Sequence, residues 1–369
     1  MLGIGDLIFE DGVARYFQSK KEIVEKHKSI FLFGSARGGE RVFKYLSTCN
    51  LHHKIVSVVD NDTMKQGKDF FGIKIIGVDV LKKAFGDYDD AIVVIASGSA
   101  HIIKEQLLAE GIPDDRIVAF VISNLQFPPT PYQFFLKKKK EINLVYQILE
   151  DEKSKNVFIS LLNYKMTRDS KWLRNIADKE NIQYFDDIMN LSEEESFVDC
   201  GTYIGDTVKA YASLFRRWKN YYCFEADPNV FINLKQNIDK NGWTNIYAYN
   251  LGCWDKEDVL CFMTLGSGSS SIENSGKGIK IPVNSLDNIL SGKEVSVIKM
   301  DIEGAEKKAL IGANNIIKYQ HPKLAISIYH SLEDFIYLPL LMKEYGDGYK
   351  IYMRHYRELT DSETICYAV

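Results

Sequence analysis

VDCGTYIGDT, residues 198–207, runs from an apolar strand into a carboxylate, two glycines and the start of a helix. The run ESFVDCG that leads into it reads as a buried strand ending at Asp199. Gly201 lets the backbone pass close to a ligand, and Gly205 lets the helix start pack tightly. Strand, glycine turn and helix in that order open nucleotide-binding α/β units. Asp199 makes the loop chemically particular, because its charge suits a ligand bearing an ammonium and a sulfonium better than a pyrophosphate. In a parallel sheet the ligand crevice lies beyond the carboxyl ends of the strands, so the strands that follow are read for what they bring there.

YYCFEADP, residues 221–228, ends in Glu225. A carboxylate at that place accepts both hydroxyls of a ribose. One acid at a strand end is ordinarily a solvated charge, but Asp199 followed by Glu225 in this order favours cofactor binding. VIKMDIEGAE, residues 297–306, places Asp301 and Glu303 two apart at the end of a strand, where both can face one side. Gly304 removes the side chain that would block a close approach. KLAISIYH, residues 323–330, ends in His330 at the same rim. A lone histidine there is more often structural, yet Asp301 and Glu303 as neighbours would orient it and strengthen its hold on a proton. His330, Asp301 and Glu303 are the candidate catalytic residues. They could also supply part of an O,O,N shell for a divalent ion; no further ligand is evident, and no metal is expected.

Upstream, SIFLFG, KIVSVVDND, AIVVIAS and RIVAFVI read as strands alternating with helices, which implies a second parallel sheet. FLFGSARGGERVF, residues 31–43, puts Gly34, Gly38 and Gly39 between strand and helix, and Asp60 ends the next strand. The spacing is G-x-x-x-G-G, so two readings stay open: nucleotide binding at the helix start, or glycines that only permit tight packing. QFPPTPYQF, residues 126–134, interrupts the pattern, and a polar helical stretch runs from Lys137 to about Leu191. The expected organisation is an α/β domain over 1–125, a helical connector over 126–191 and a second α/β domain over 192–369.

The 46 basic and 50 acidic residues leave a formal charge of −4, which disfavours nucleic acid as a partner. Lys137–Lys140 is the strong basic block and reads as a solvated turn before a helix. Six cysteines without a C-x-x-C pair fit a reducing compartment rather than a disulfide framework. The acidic N-terminus does not look like a secretory signal, and no apolar run approaches the length of a membrane span. A cytoplasmic protein is expected.

VDCGTYIGDT, FEADP, VIKMDIEGAE and AISIYH, in this order, resemble the FkbM family of S-adenosylmethionine-dependent methyltransferases over about the last 180 residues. DIEGAE after an apolar strand is the most specific of these, and RHYRELTDSETICYAV resembles the family's closing hairpin. QYFDDIMNLSEEESFVD is similar to a subgroup with an extra N-terminal Rossmann-like domain. The resemblance implies a seven-stranded Rossmann-like methyltransferase sheet with an antiparallel last strand, behind a smaller Rossmann-like α/β domain and a helical connector. It implies that Asp199, Gly201 and Gly205 hold the methionine part of S-adenosylmethionine and Glu225 its ribose. Ala226 and Asp227 would border the adenine, and Asn250, Leu251 and Gly252 would complete its pocket. Asp301 and Glu303 would face the methyl group and the acceptor. The implied reaction is O-methylation of a sugar, nucleotide-sugar or surface-glycan hydroxyl. A nucleotide-sugar-binding module without catalysis and an NAD-linked oxidoreductase are the alternatives. A homo-oligomer is compatible with the sequence.

Overall fold

Strands covered on both faces of a parallel sheet need apolar residues at nearly every position, and Ser196–Cys200 is buried throughout. The computed structural model describes residues 3–97, 99–120, 130–169, 171–264, 270–272, 279–346, 348–358 and 360–369. They divide into two units, residues 11–133 and residues 1–10 with 134–369.

In the first unit the strands are β1 (Ser29–Phe33), β2 (Ile55–Val59), β3 (Asp69–Phe70), β4 (Ile73–Ile76), β5 (Ala91–Ile95) and β6 (Ile117–Ala119). Their order is β3-β4-β2-β1-β5-β6, parallel except for the β3–β4 pair. The glycines after β1 serve close packing: a methyl group at Gly38 would come within 2.1 Å of the Ala96 carbonyl oxygen, and one at Gly39 within 2.0 Å of the Gly34 oxygen. Asp60 accepts from the backbone and hydroxyl of Ser35 and from the Asp62 N–H. These contacts favour the packing reading of that loop.

The second unit holds β7 (Ser196–Cys200), β8 (Asn220–Phe224), β9 (Ile246–Tyr249), β10 (Gly252–Cys253), β11 (Asp258–Thr264), β12 (Ser270–Ile272), β13 (Ile279–Asn284), β14 (Val297–Met300), β15 (Lys323–Ser327), β16 (Ile351–His355) and β17 (Thr364–Ala368). Seven of them form a sheet in the order β16-β17-β15-β14-β7-β8-β9. β17, the last strand, is antiparallel to both of its neighbours, as expected. A small sheet, β10-β13-β11-β12, stands between β9 and β14 in sequence, and the sequence reading does not include it. The β13 residues alternate between buried Ile281 and Val283 and exposed neighbours, a two-residue period.

The helical stretch before β7 also differs from its polar reading. Pro131 opens the helix Pro131–Lys137 rather than ending one, because a first-turn proline loses no needed N–H. Helix Glu152–Thr167 buries Val157, Phe158, Leu161, Leu162 and Met166, and Phe158 stacks on Phe335 of helix Leu332–Tyr345. Leu149 and Ala177 bridge to Ile351 and His355 along β16. These helices are part of the second unit's core.

Candidate active site

The chain leaves β7 through a loop that only glycine permits at its first position. Gly201 has φ +79°, and a methyl group there would lie 2.0 Å from the Asp301 carbonyl oxygen. The loop is pinned by Gly201 and Thr202 N–H groups donating to the Phe224 carbonyl and by the Thr202 hydroxyl donating to the Asp199 carbonyl. Gly205, at φ +90°, precedes helix Asp206–Leu214.

Asp199 is fully buried. Its neighbour in register on β14 is Lys299, whose Nζ lies 2.9 Å from Asp199 Oδ1 and donates to the Gly201 carbonyl at 2.8 Å. The Tyr221 hydroxyl takes the other oxygen at 3.2 Å. Burial works against the Lys299 charge, and the Asp199 and Asp301 carboxylates more than reverse it. Both Asp199 oxygens are therefore engaged inside the protein.

Glu225 follows β8 directly. Its carboxylate accepts the Tyr203 N–H at 2.9 Å and the Asp227 N–H at 2.8 Å, tying the β7 loop to the β8 rim. Burial pushes the Glu225 carboxyl up to about 7 against these two hydrogen bonds. Asn250 Nδ2 donates to the carbonyls of Glu225 and Ala226. Asp227 caps helix Pro228–Asn241 by accepting from Asn229 and Val230, a good start signal with proline at the first turn. Gly252 lies against Ala226, with room for no more than its hydrogen beside Val283, and Leu251 packs on the core.

A second group gathers one strand over. Asp301 follows β14 and accepts from the Tyr184 hydroxyl at 2.7 Å and from the Tyr329 hydroxyl at 3.0 Å. Burial works to raise the Asp301 carboxyl, but the Lys299 ammonium, His330 and the two hydroxyls together hold it below its usual range. His330 Nε2 lies 3.4 Å from Asp301 Oδ1 and 3.8 Å from Glu303 Oε2. Its Nδ1 lies 3.0 Å from Oε1 of the fully buried Glu306. Burial would lower the imidazole, yet Glu306, Asp301 and Glu303 push it up to about 9. Asp334, pushed up to about 6 chiefly by burial, adds a further carboxyl to this field.

The structure thus brings Gly201, Gly205, Glu225, Ala226, Asp227, Asn250 and Gly252 to one rim, and Asp301, Glu303 and His330 to the next. It differs in detail from the strand ends read in sequence. β14 stops at Met300 and β15 at Ser327, so Glu303 and His330 sit on turns rather than on strands. Glu303 reaches His330 through a left-handed backbone, φ +57°. Lys299, Tyr184 and Glu306 are absent from the site residues read in sequence. A lysine inside an apolar strand was a signal for Lys299, and the second acid of the DIEGAE phrase was one for Glu306. Tyr184 lies in QYFDDIMNLSEEESFVD, a stretch that points to the extra N-terminal domain and not to any role of this side chain.

A family model described as the methyltransferase FkbM domain matches residues 199–349. A second, described as C2185-like, N-terminal, matches residues 26–118. No curated protein matches the chain. Among solved structures, methyltransferase FkbM from Methylobacillus flagellatus KT is similar at 19% identity, covering 98% of this chain and 99% of that one, with a TM-score of 0.67. Fibrillarin from Aeropyrum pernix, solved with natively bound S-adenosyl-L-methionine, covers 49% of this chain and 71% of its own at 12% identity and a TM-score of 0.33. A Streptococcus mutans protein in complex with SAH covers 50% of this chain and 94% of its own at 10% identity and a TM-score of 0.32. At such identity the Methylobacillus likeness establishes the fold, a Rossmann-like methyltransferase unit with an additional N-terminal α/β unit. The matched model and the motif order then agree on one assignment: residues 199–349 form a methyltransferase FkbM domain.

Proposed function

We propose that the protein transfers a methyl group from S-adenosylmethionine to a hydroxyl of a sugar, nucleotide-sugar or surface-glycan precursor, in the cytoplasm. The observation that carries the cofactor reading is the Glu225 carboxylate, fixed by the N–H groups of Tyr203 and Asp227 between the β7 loop and the β8 rim. A carboxylate so placed accepts two vicinal hydroxyls. Bound there, S-adenosylmethionine would supply a methyl group already activated on a sulfonium, whose positive charge also disfavours a second cation on a nearby imidazole.

The remaining work falls to the chain's own residues. Gly201 and Gly205 admit the donor's methionine end to the backbone, while Asp199 acts through Lys299 as a positioning residue. Ala226, Asp227, Asn250, Leu251 and Gly252 form the edge for the base. Alignment of donor and acceptor supplies up to about 7–11 kcal/mol of the barrier. Proton removal from the acceptor adds roughly 10²–10⁴-fold, and we assign it to His330, held by Asp301 and Glu303 at 3.4 and 3.8 Å. The imidazole accepts a proton only after losing the one that its carboxylate neighbours favour. The acceptor class comes from the resemblance of the motifs. A methyl-transfer assay against a panel of nucleotide-sugars and glycans tests it: transfer to a hydroxyl of one of them is expected, and transfer only to a nitrogen or carbon acceptor refutes it.

A further inference from the structure

The cluster around His330 carries more negative charge than its own cations balance. Asp301, Glu303 and Glu306 all approach one imidazole, and Lys299 is engaged with Asp199. Two features point past a simple ion pair. Glu306 is fully buried, and its Oε1 accepts the Ile302 N–H at 2.8 Å while Oε2 makes no hydrogen bond among the described residues. Neither His330 ring nitrogen makes an aligned hydrogen bond there, although the side chain is only 9% exposed. Leaving a buried carboxylate oxygen such as Glu306 Oε2 without a hydrogen bond is costly, a cost that a ligand there would remove.

We propose that Asp301, Glu306 and His330 form a binding site for a divalent transition-metal cation of the Mn2+ or Zn2+ kind. One ligand atom from each of the three lies within 4.8 Å of the others. Small side-chain adjustments close that spacing onto one ion with bonds of about 2.0–2.2 Å. Two carboxylate oxygens and an imidazole nitrogen select these ions over Ca2+ or Mg2+, which prefer oxygen alone. The supporting contacts are also of the kind a metal site uses. The Tyr184 and Tyr329 hydroxyls hold the Asp301 carboxylate, and the Ile302 N–H fixes Glu306 Oε1 so that Oε2 is the free donor. With a cation bound, His330 is a ligand and its part in proton removal becomes indirect. The site deepens the methyl-transfer reading by placing a cation on the proposed acceptor side, but its existence does not depend on which group is methylated.

The test is a Mn2+ titration of the full chain, stripped with chelator, with free Mn2+ followed by electron paramagnetic resonance. Neither methyl donor nor acceptor is present, so failure of methyl transfer leaves the result untouched. One Mn2+ per chain is expected, with a rise in melting temperature on binding. Glu306→Gln and His330→Gln should each weaken binding roughly tenfold or more, and Asp258→Asn, a surface acid on β11, should leave it unchanged. If either core variant does not fold, Asp301→Asn at the rim gives the same readout. Absence of binding up to about millimolar Mn2+, or equal binding by folded Glu306 and His330 variants, overturns the site and leaves an imidazolium held by its acids.

Discussion

Gly201 is the residue on which the loop geometry turns. Alanine there meets both a left-handed backbone, costing about 1–2 kcal/mol, and the Asp301 carbonyl. Gly201→Ala should therefore lower the melting temperature and abolish donor binding in a calorimetric titration, whereas Gly242→Ala, whose added Cβ would meet nothing within 4 Å, should cost only the backbone strain. Lys299 is a second such residue. Lys299→Met leaves the Asp199 carboxylate buried and unpaired, for a loss of about 3–5 kcal/mol in denaturant unfolding. Adding Asp199→Asn should recover part of that loss, since the stranded charge is then gone. Glu225 makes a pH prediction. Its carboxyl, raised to about 7 by burial, binds a proton more tightly folded than unfolded, so its contribution to stability falls as pH rises from the ordinary carboxylate range through about 7. Ribose hydroxyls need the anion, so donor affinity should rise across the same window in wild type and lose that rise in Glu225→Gln.

At the scale of elements, the proposed site residues sit where strands stop. β7, β8 and β14 end at successive positions on one rim, and each releases an acid or a glycine within a residue or two. That pattern was legible because the motifs lie on consecutive stretches of chain: Asp199 with Gly201, Glu225, Asp301 with Glu303. What was not legible comes from pairing across the sheet or from afar. Lys299 meets Asp199 only through the β14–β7 register, and Tyr184 reaches Asp301 from a segment that reads as polar connector. In the small β10–β13 sheet, β10 and β12 are too short to show a period, whereas the alternation of β13 is a readable signal. Tyr184 offers a direct check on the distant contribution. Tyr184→Phe removes one hydrogen bond to a carboxylate, worth about 1.5 kcal/mol. Turnover should fall roughly tenfold with donor affinity unchanged; loss of donor affinity instead would make Tyr184 part of the cofactor pocket.

For the whole molecule, two α/β units with alternating strands were readable from the spacing of apolar runs, and both sheets are present. The limits of the units were less so, because helices from Phe134 onward and the first ten residues belong with the second sheet. Ile8 and Asp6 are held there by Asn163, a contact that no local pattern announces. The two glycine loops differ physically: the first is filled by its own backbone, and the second leads to Glu225, the carboxylate proposed to take a ribose. Calorimetric titration of the full chain with S-adenosylmethionine tests that distinction most directly. One site per chain is predicted, weakened about 10–100-fold by Glu225→Ala and unaffected by Asp60→Asn in the first unit. Binding that survives Glu225→Ala intact, or that disappears with Asp60→Asn, would contradict the account.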